Sequence, residues 1–588
     1  MKHFCSITCL LFVFLNSSLA RAQGPAVVGT ALSPVRNAPA VPRTASVVIP
    51  FSQPVNPATA GNIKMFSSQY RGSRTATTST NANAATLLPT APAGQSAAFK
   101  PGETVSVTVP ATVLGTNGAG TVPYVYQFTA AATGGSGSFA LNGDISVAGG
   151  DWACEVRVGD LDGDGDLDVV TNSGSPNSFS NITVGKINVL LNNGTGSYTA
   201  APAIVVPLGP SSVALGDIDS DLDILSANHG NDSGNGNTVS ICFNNGTGTF
   251  ASPVNLIVAQ SPQRIKLGDM DGDGDLDLVV NGSLTQVFFN NGSGGFSNST
   301  APGSPGGSIT RSGSNLADMD GDGSLDLVGP GGIYRNNGQG SFTAVAGTSG
   351  GYYNDAIGDI DGDGDLDVIT VGNVNTSLFG SNVLVQKNDG TGRVAATTTL
   401  TISSTSTYPT IIPCVALGDI DGDGDLDLLA GFSNNQLGIA VWQNDGQGHF
   451  MALPSFSGNV QAMNMVLADV DGDGDLDIVA SIYSGYNVKI LLNTTTLATT
   501  TARPARLVTL YPNPAASAAT VQLSRAGMST SAATQVTIYN GLGQVVAVST
   551  LHAGQDTNTL PTAHLPAGCY MVRLQSADGN STQRLVLY

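Results

Sequence analysis

Between residues 138 and 495 the chain alternates short apolar runs with polar turns, and one turn recurs. An apolar stretch runs into Gly-Asp-x-Asp-Gly-Asp-Gly-x-Leu-Asp, and a second apolar stretch follows. The element begins at Asp160, Asp269, Asp318, Asp359, Asp419 and Asp469, and a shortened copy begins at Asp217. Successive starts lie 57, 52, 49, 41, 60 and 50 residues apart. A second element, Asn-Asn-Gly-x-Gly-x-Phe or a close variant, alternates with the first at 192–198, 244–250, 290–296, 336–342 and 444–450. Its Asn-Gly pairs tolerate positive φ and suit tight hairpin turns. A period near 50 with strand-like flanks predicts four strands per unit, the size of a propeller blade. Counting from Gly-Ser-Gly-Ser-Phe at 135–139 to the apolar run at 488–493 yields seven whole units. Closing them into a ring would protect the strand edges that an open array exposes.

The flanks differ in pattern. Residues 24–130 alternate apolar and polar positions with Pro and Gly breaks, as in 45–49 and 104–109, and predict a β-sandwich that serves as a spacer. Residues 131–137 read as a flexible joint and 496–506, rich in Thr and Ala, as a linker. Residues 507–588 predict a small β-sandwich. At the start, Lys2 precedes an apolar run over 4–15, and Ala20-Arg21-Ala22 fits a cleavage site, so residues 1–22 read as a signal peptide. No other segment approaches the roughly 20 apolar residues of a membrane span. The expected fold class is all-β: a seven-bladed β-propeller between an N-terminal Ig-like sandwich and a small C-terminal sandwich.

Composition sharpens this. Charged residues make up 11% and aromatics 6%, with 74 glycines, as expected of an extracellular, turn-rich β protein. The net charge of −21 is local: the seven loops hold 33 of the 43 acidic residues, five loops carrying five each and two carrying four. The acidity points to bound cations. No basic stripe exists to neutralise phosphates, so nucleic acid is not an expected partner. Cys5 and Cys9 leave with the signal. Cys154, Cys242, Cys414 and Cys569 show no framework spacing and read as buried free thiols.

The loops have the chemistry of a hard cation site. In the first, Asp160, Asp162, Asp164 and Asp168 occupy positions 1, 3, 5 and 9, and Gly165 permits the turn that lets them converge. The carbonyl of Asp166, at position 7, can join them, and Leu167 at position 8 would anchor the loop in the blade. Oxygen ligands in a flexible loop suit calcium. The same positions give Asp269, Asp271, Asp273, Asp277 and, at position 7, Asp275. They give Asp318, Asp320, Asp322, Asp326 and Ser324, then Asp359, Asp361, Asp363, Asp367 and Asp365. They also give Asp419, Asp421, Asp423, Asp427 and Asp425, then Asp469, Asp471, Asp473, Asp477 and Asp475. About six calcium ions are expected, because the Asp217 copy is two residues short and lacks the turn glycine. A helical EF-hand would need a ligand at position 12, where Thr171, Val280, Gly329, Thr370, Ala430 and Ala480 stand.

These elements together resemble FG-GAP/VCBS repeats, the repeat of integrin α-chain propellers and of many secreted bacterial proteins, and that resemblance implies the same fold and calcium role. Residues 48–56 (VIPFSQPVN) resemble bacterial Ig-like domains of the surface-layer type. Tyr511-Pro512-Asn513-Pro514, with the strand-like 536–540, 543–546, 565–573 and 583–588, resembles the C-terminal sorting domain of type IX secretion. That resemblance implies passage through the type IX machinery and a product that is released or held at the outer cell surface.

The expected function is non-catalytic binding or adhesion, with a glycan or surface protein as partner. A lectin with pockets between blades is the alternative, although Trp152 and Trp442 are its only tryptophans. A polysaccharide-degrading enzyme is the third reading. His229 and His449 sit in turn-like segments, and Asp151, Glu155, Asp232 and Asp355 are carboxylates outside the loops with no partner apparent in the sequence.

Overall fold

The computed structural model describes residues 24–92, 94–147, 155–173, 184–231, 234–298, 315–329, 332–345, 355–372, 382–401, 412–432, 438–456, 460–482, 487–494, 507–511, 521–526, 534–540, 545–552, 555, 557–562, 564–576 and 579–587. The signal segment, Cys154, Trp152, Asp151, Asp232 and the 496–506 linker lie outside them. The protein is all-β: among the described residues there are strands and two short 3-10 turns but no α-helix. Two compact units divide at residue 495.

The first unit begins with two sheets, of three and four strands, built from residues 47–129. Alternation along Thr104–Val109 turns Val105, Val107 and Val109 inward, where they meet Phe99, Tyr126 and Phe128 in one apolar core. Within it lies a fully buried ion pair. Arg74 Nη2 is 2.5 Å from Glu103 Oε2, and the guanidinium lies 3.9 Å from the centroid of the Tyr70 ring.

Seven antiparallel sheets follow. Each begins with a strand that leads into an aspartate loop: Val156–Gly159, Pro210–Asp217, Arg264–Gly268, Asn315–Ala317, Ala356–Gly358, Cys414–Gly418 and Ala462–Ala468. The second strand of each sheet returns from the loop and is buried along its length, as at Asp168–Ser173 and Asp277–Asn281. Six of the sheets have four strands, and the first gains a fifth, Ile204–Val206. The seventh sheet is completed by Phe139–Ser146, which precedes the first sheet in the chain and pairs with Asn487–Asn493. First strands pack on first strands in chain order, and that of the seventh sheet packs on that of the first. Val156, Val158 and Val169 of the first sheet accordingly share a core with Val470, Val479 and Val488 of the seventh.

Residues 131–137 are not a free joint. Thr133 N donates to Gly474 O at 2.9 Å and Ser136 N to Asn493 Oδ1 at 3.2 Å. The expectation of flexibility rested on glycine content, and these bonds to a neighbouring carbonyl and to the Asn493 side chain overrule it. Cys242 and Cys414 are buried free thiols, and burial pushes both up to about 12. Trp442 packs in the core between the fifth and sixth sheets, so it offers no stacking face to a sugar.

The second unit, residues 496–588, has a three-stranded and a four-stranded sheet around a core that includes Val521, Leu523, Val536, Ile538, Val572 and Leu585.

Candidate metal centres

Each loop is held by its own aspartates. At position 1, Asp269 Oδ1 accepts from Gly272 N at 2.7 Å and Oδ2 from Gly274 N at 3.0 Å. The same pair of bonds recurs at Asp318, Asp359 and Asp419. Positions 3 and 5 accept from the amide two residues on, as Asp271 does from Asp273 and Asp273 from Asp275. Position 9 joins the loop to the sheet. Asp168 Oδ2 accepts from Leu161 N at 2.9 Å, and its Oδ1 from Asn192 N at 2.9 Å.

The carboxylates converge. One oxygen from each of Asp160, Asp162 and Asp168 lies within 4.8 Å of the others, and so do those of Asp318, Asp320 and Asp326. The sets Asp359, Asp361, Asp367 and Asp419, Asp421, Asp427 do the same, while the 269 loop gathers Asp269, Asp271 and Asp273. Position 5 thus joins the cluster in that loop, and position 9 in the other four. The position-7 side chains turn elsewhere: a Cβ on Gly194 would sit 2.7 Å from Asp166 Oδ2, and Gly194 has φ +78°. Asp275, Asp365 and Asp425 lie in the same way against Gly292, Gly390 and Gly446. In the 318 loop, Ser324 at position 7 donates its amide to Asp322 Oδ1 at 2.8 Å.

The shortened copy, in the second sheet, is built differently. Its strand runs to Asp217 and pairs it with Leu222, leaving only four residues for the turn. Asp223 keeps the position-9 bonds, to Ile218 N at 3.3 Å and Asn244 N at 2.8 Å.

Burial sets the electrostatics. It pushes Asp168, Asp367 and Asp427 up to about 7, and Asp277 and Asp326 up to about 8, against the backbone amides that favour the ionised form. Asp160 Oδ2 and Asp361 Oδ1 are buried without a hydrogen-bond partner. Several desolvated carboxylates within reach of one another, some oxygens unpaired, fit a hard divalent cation. Some counter-charge is already present: Arg335 is 3.0 Å from Asp320 and Lys387 is 3.1 Å from Asp361.

The Asn-Asn-Gly element does more than turn the chain. In each of the seven sheets one asparagine reaches into the loop of the sheet before it. Asn244 Nδ2 donates to Leu161 O at 2.8 Å, Asn290 to Ile218 O, Asn336 to Met270 O and Asn388 to Met319 O. Asn444 reaches Ile360 O and Asn493 reaches Ile420 O. Asn192, in the first sheet, donates to Val470 O of the seventh at 2.8 Å. The signal lay in the sequence as the regular alternation of this asparagine with the aspartate loop, and turn propensity masked it.

The N-terminal domain sits on the loop-bearing face, which no spacer would do. Arg36 Nη2 is 2.8 Å from Asp365 Oδ1, Val125 N donates to Gly323 O at 2.8 Å, and Asn37 Nδ2 to Gly364 O at 3.1 Å. Lys100 and Gln95 bond the carbonyls of Gly165 and Gly163. His449, in the turn that Asn444 opens, is exposed and lies 3.0 Å from Asp445.

Three families match parts of the sequence: FG-GAP-like repeat at 219–280, 269–329, 359–430 and 419–480, bacterial Ig-like domain at 22–130, and secretion system C-terminal sorting domain at 509–588. The chain carries FG-GAP-like repeats. Around them stand the Ig-like domain and the sorting tail, and that tail assigns the protein to type IX secretion, at the outer cell surface or released. Among the described residues no helix is long and apolar enough to cross a membrane. No curated relative matches the chain. Among solved structures, a protein from Lactobacillus plantarum is 12% identical with TM-score 0.36, over 67% of this chain and 99% of that one. A protein of unknown function from Bacteroides thetaiotaomicron is 12% identical with TM-score 0.27, over 76% and 94%.

Proposed function

We propose that this FG-GAP-repeat protein is a calcium-stabilised, closed seven-bladed propeller that binds a glycan or surface protein outside the cell without catalysis. The observation that carries the reading is the repeated unit of aspartate loop and stapling asparagine, present in phase in all seven sheets, including Asn192 onto Val470. Calcium in the six full loops would neutralise their carboxylates and rigidify the turns that the staples grip. The bond across the first and seventh sheets supports the closed ring.

The seating of the Ig-like domain directs where a partner would bind. Arg36, Lys100 and Val125 occupy loop-bearing edges, so the opposite face and the outer strands remain for a ligand. Outer strands such as Val254–Ile257 expose Val254 and Ile257 beside polar neighbours. A glycan array and a surface-protein pull-down with the full-length chain, each in calcium and in chelator, test the proposal. Calcium-dependent capture in either assay supports it. Failure of the folded protein to capture anything in both, or turnover of a captured glycan, rejects it.

A further inference from the structure

Where the first strands of the sheets meet, they enclose a cavity of about 410 Å³ that the aspartate loops do not line. Its walls carry charge drawn from distant parts of the chain: Glu155 and Arg157 from the first sheet, Arg264 and Lys266 from the third, Asp355 from the fifth. Gln69 of the Ig-like domain also lines it.

The charges are unequally satisfied. Glu155 is spent: Arg157 pairs with Oε1, while Arg264 Nη1 at 3.4 Å and Val213 N at 3.0 Å reach Oε2. The two arginines hold its carboxyl down to about 2 despite its burial. Asp355 is the reverse. It is 7% exposed, neither carboxylate oxygen has a hydrogen bond of full geometry, and the Thr370 hydroxyl is the donor within reach. Gln69 Oε1 is buried without a partner. Two arginines and Lys266, whose ammonium burial and the neighbouring arginines push down to about 7, face two carboxylates, one already used by both arginines, and two sets of acceptor oxygens lack full hydrogen bonds. Buried acceptors left unpaired in a polar cavity cost free energy that a donor-bearing ligand would recover.

We propose that this cavity binds a small hydroxylated carboxylate, its anionic end on Lys266 and Arg264 and its hydroxyls donating to Asp355 and Gln69. The net positive charge of the wall favours an anion over a zwitterion, and the unpaired acceptors require donors that acetate or sulfate lack. The site is independent of the surface-binding reading and stands whether or not a glycan binds the outer strands.

Isothermal titration of the full-length chain, with calcium in excess, tests it using sodium D-glucuronate and sodium D-galacturonate as probes. Glucose supplies hydroxyls without charge, and acetate charge without hydroxyls. The expected result is saturable binding of at least one uronate and at least tenfold weaker binding of glucose and acetate. Lys266→Gln and Asp355→Asn should each weaken uronate binding at least tenfold with melting unchanged. Asp355→Asn risks misfolding; Lys266→Gln and the wild-type titration then decide. No uronate binding, equal affinity for acetate, or a Lys266→Gln variant that binds as the wild type does would each overturn the site.

Discussion

Asn192 joins the two ends of the repeat array, and replacing it by alanine tests whether that junction matters. The side chain is 6% exposed, and Nδ2 donates to Val470 O at 2.8 Å and Leu167 O at 3.1 Å. Its Oδ1 accepts from Asn193 N at 2.9 Å and Gly194 N at 3.2 Å. Alanine removes four hydrogen bonds, although Val470 O keeps Gly196 N at 3.1 Å and Leu167 O keeps the Tyr198 hydroxyl at 3.5 Å. At about 0.5–1 kcal/mol for each lost bond, the cost is about 2–4 kcal/mol. With about 2 °C per kcal/mol in a large domain, melting should fall by about 4–8 °C. Asn336→Ala is the control, because Asn336 makes the equivalent bond to Met270 O at 2.9 Å between sheets that are consecutive in the chain. Both variants should melt early. Only Asn192→Ala should raise hydrogen exchange in Phe139–Ser146 and Val156–Gly159, the strands on either side of the junction. Equal exchange in the two variants, or an Asn192→Ala that melts with the wild type, would refute the reasoning.

Further outcomes follow from the loops and from the Ig-like core. Ion-free loop carboxylates titrate above their ordinary range, about 6 at Asp359 and Asp419 and about 8 at Asp277. Ion-free protein should therefore be most stable in acid and lose stability as pH rises through about 6–8; bound calcium, which needs the ionised form, should reverse the trend. Calorimetry at several pH values in chelator and in calcium checks the sign, and parallel curves would reject it. Elemental analysis of dialysed protein should find six calcium ions, not seven, since the Asp217 turn has only four residues between paired positions. Arg74→Met strands Glu103, whose side chain is 0% exposed, and should cost about 3–5 kcal/mol by urea unfolding. The double variant Arg74→Met/Glu103→Leu should recover most of that loss, and if it does not, the ion pair is not the source.

The all-β class and the position of every aspartate loop were legible because both are local. Period-2 alternation and an Asp-Gly turn need no knowledge of what lies across the sheet. The convergence of Asp160, Asp162 and Asp168 followed from spacing alone. What could not be read depends on contacts across the array. Glu155 and Asp355 showed no partner along the chain, and they face one cavity only because their strands meet at its centre. Trp442 counted as an available aromatic until its sheet was packed against the next. The Ig-like domain read as a spacer because its contacts come from single residues, Arg36, Lys100 and Gln95, mostly to backbone carbonyls that leave no pattern in the sequence. The asparagines were visible but taken for turn formers, since Asn-Gly propensity explains them locally and their second bond lies in another repeat.

The strand Phe139–Ser146 has a consequence for how the protein reaches its destination. It lies ahead of the first sheet yet completes the last, and Ser136 bonds Asn493 357 residues later. During synthesis and export the early strand must wait, its edge unpaired, until nearly the whole array has emerged. Truncation anywhere in the array leaves that edge open, and an unpaired edge invites association with another chain. The fold thereby leaves an open strand edge on unfinished copies and closes it on finished ones, a distinction that is drawn only when the last strand arrives.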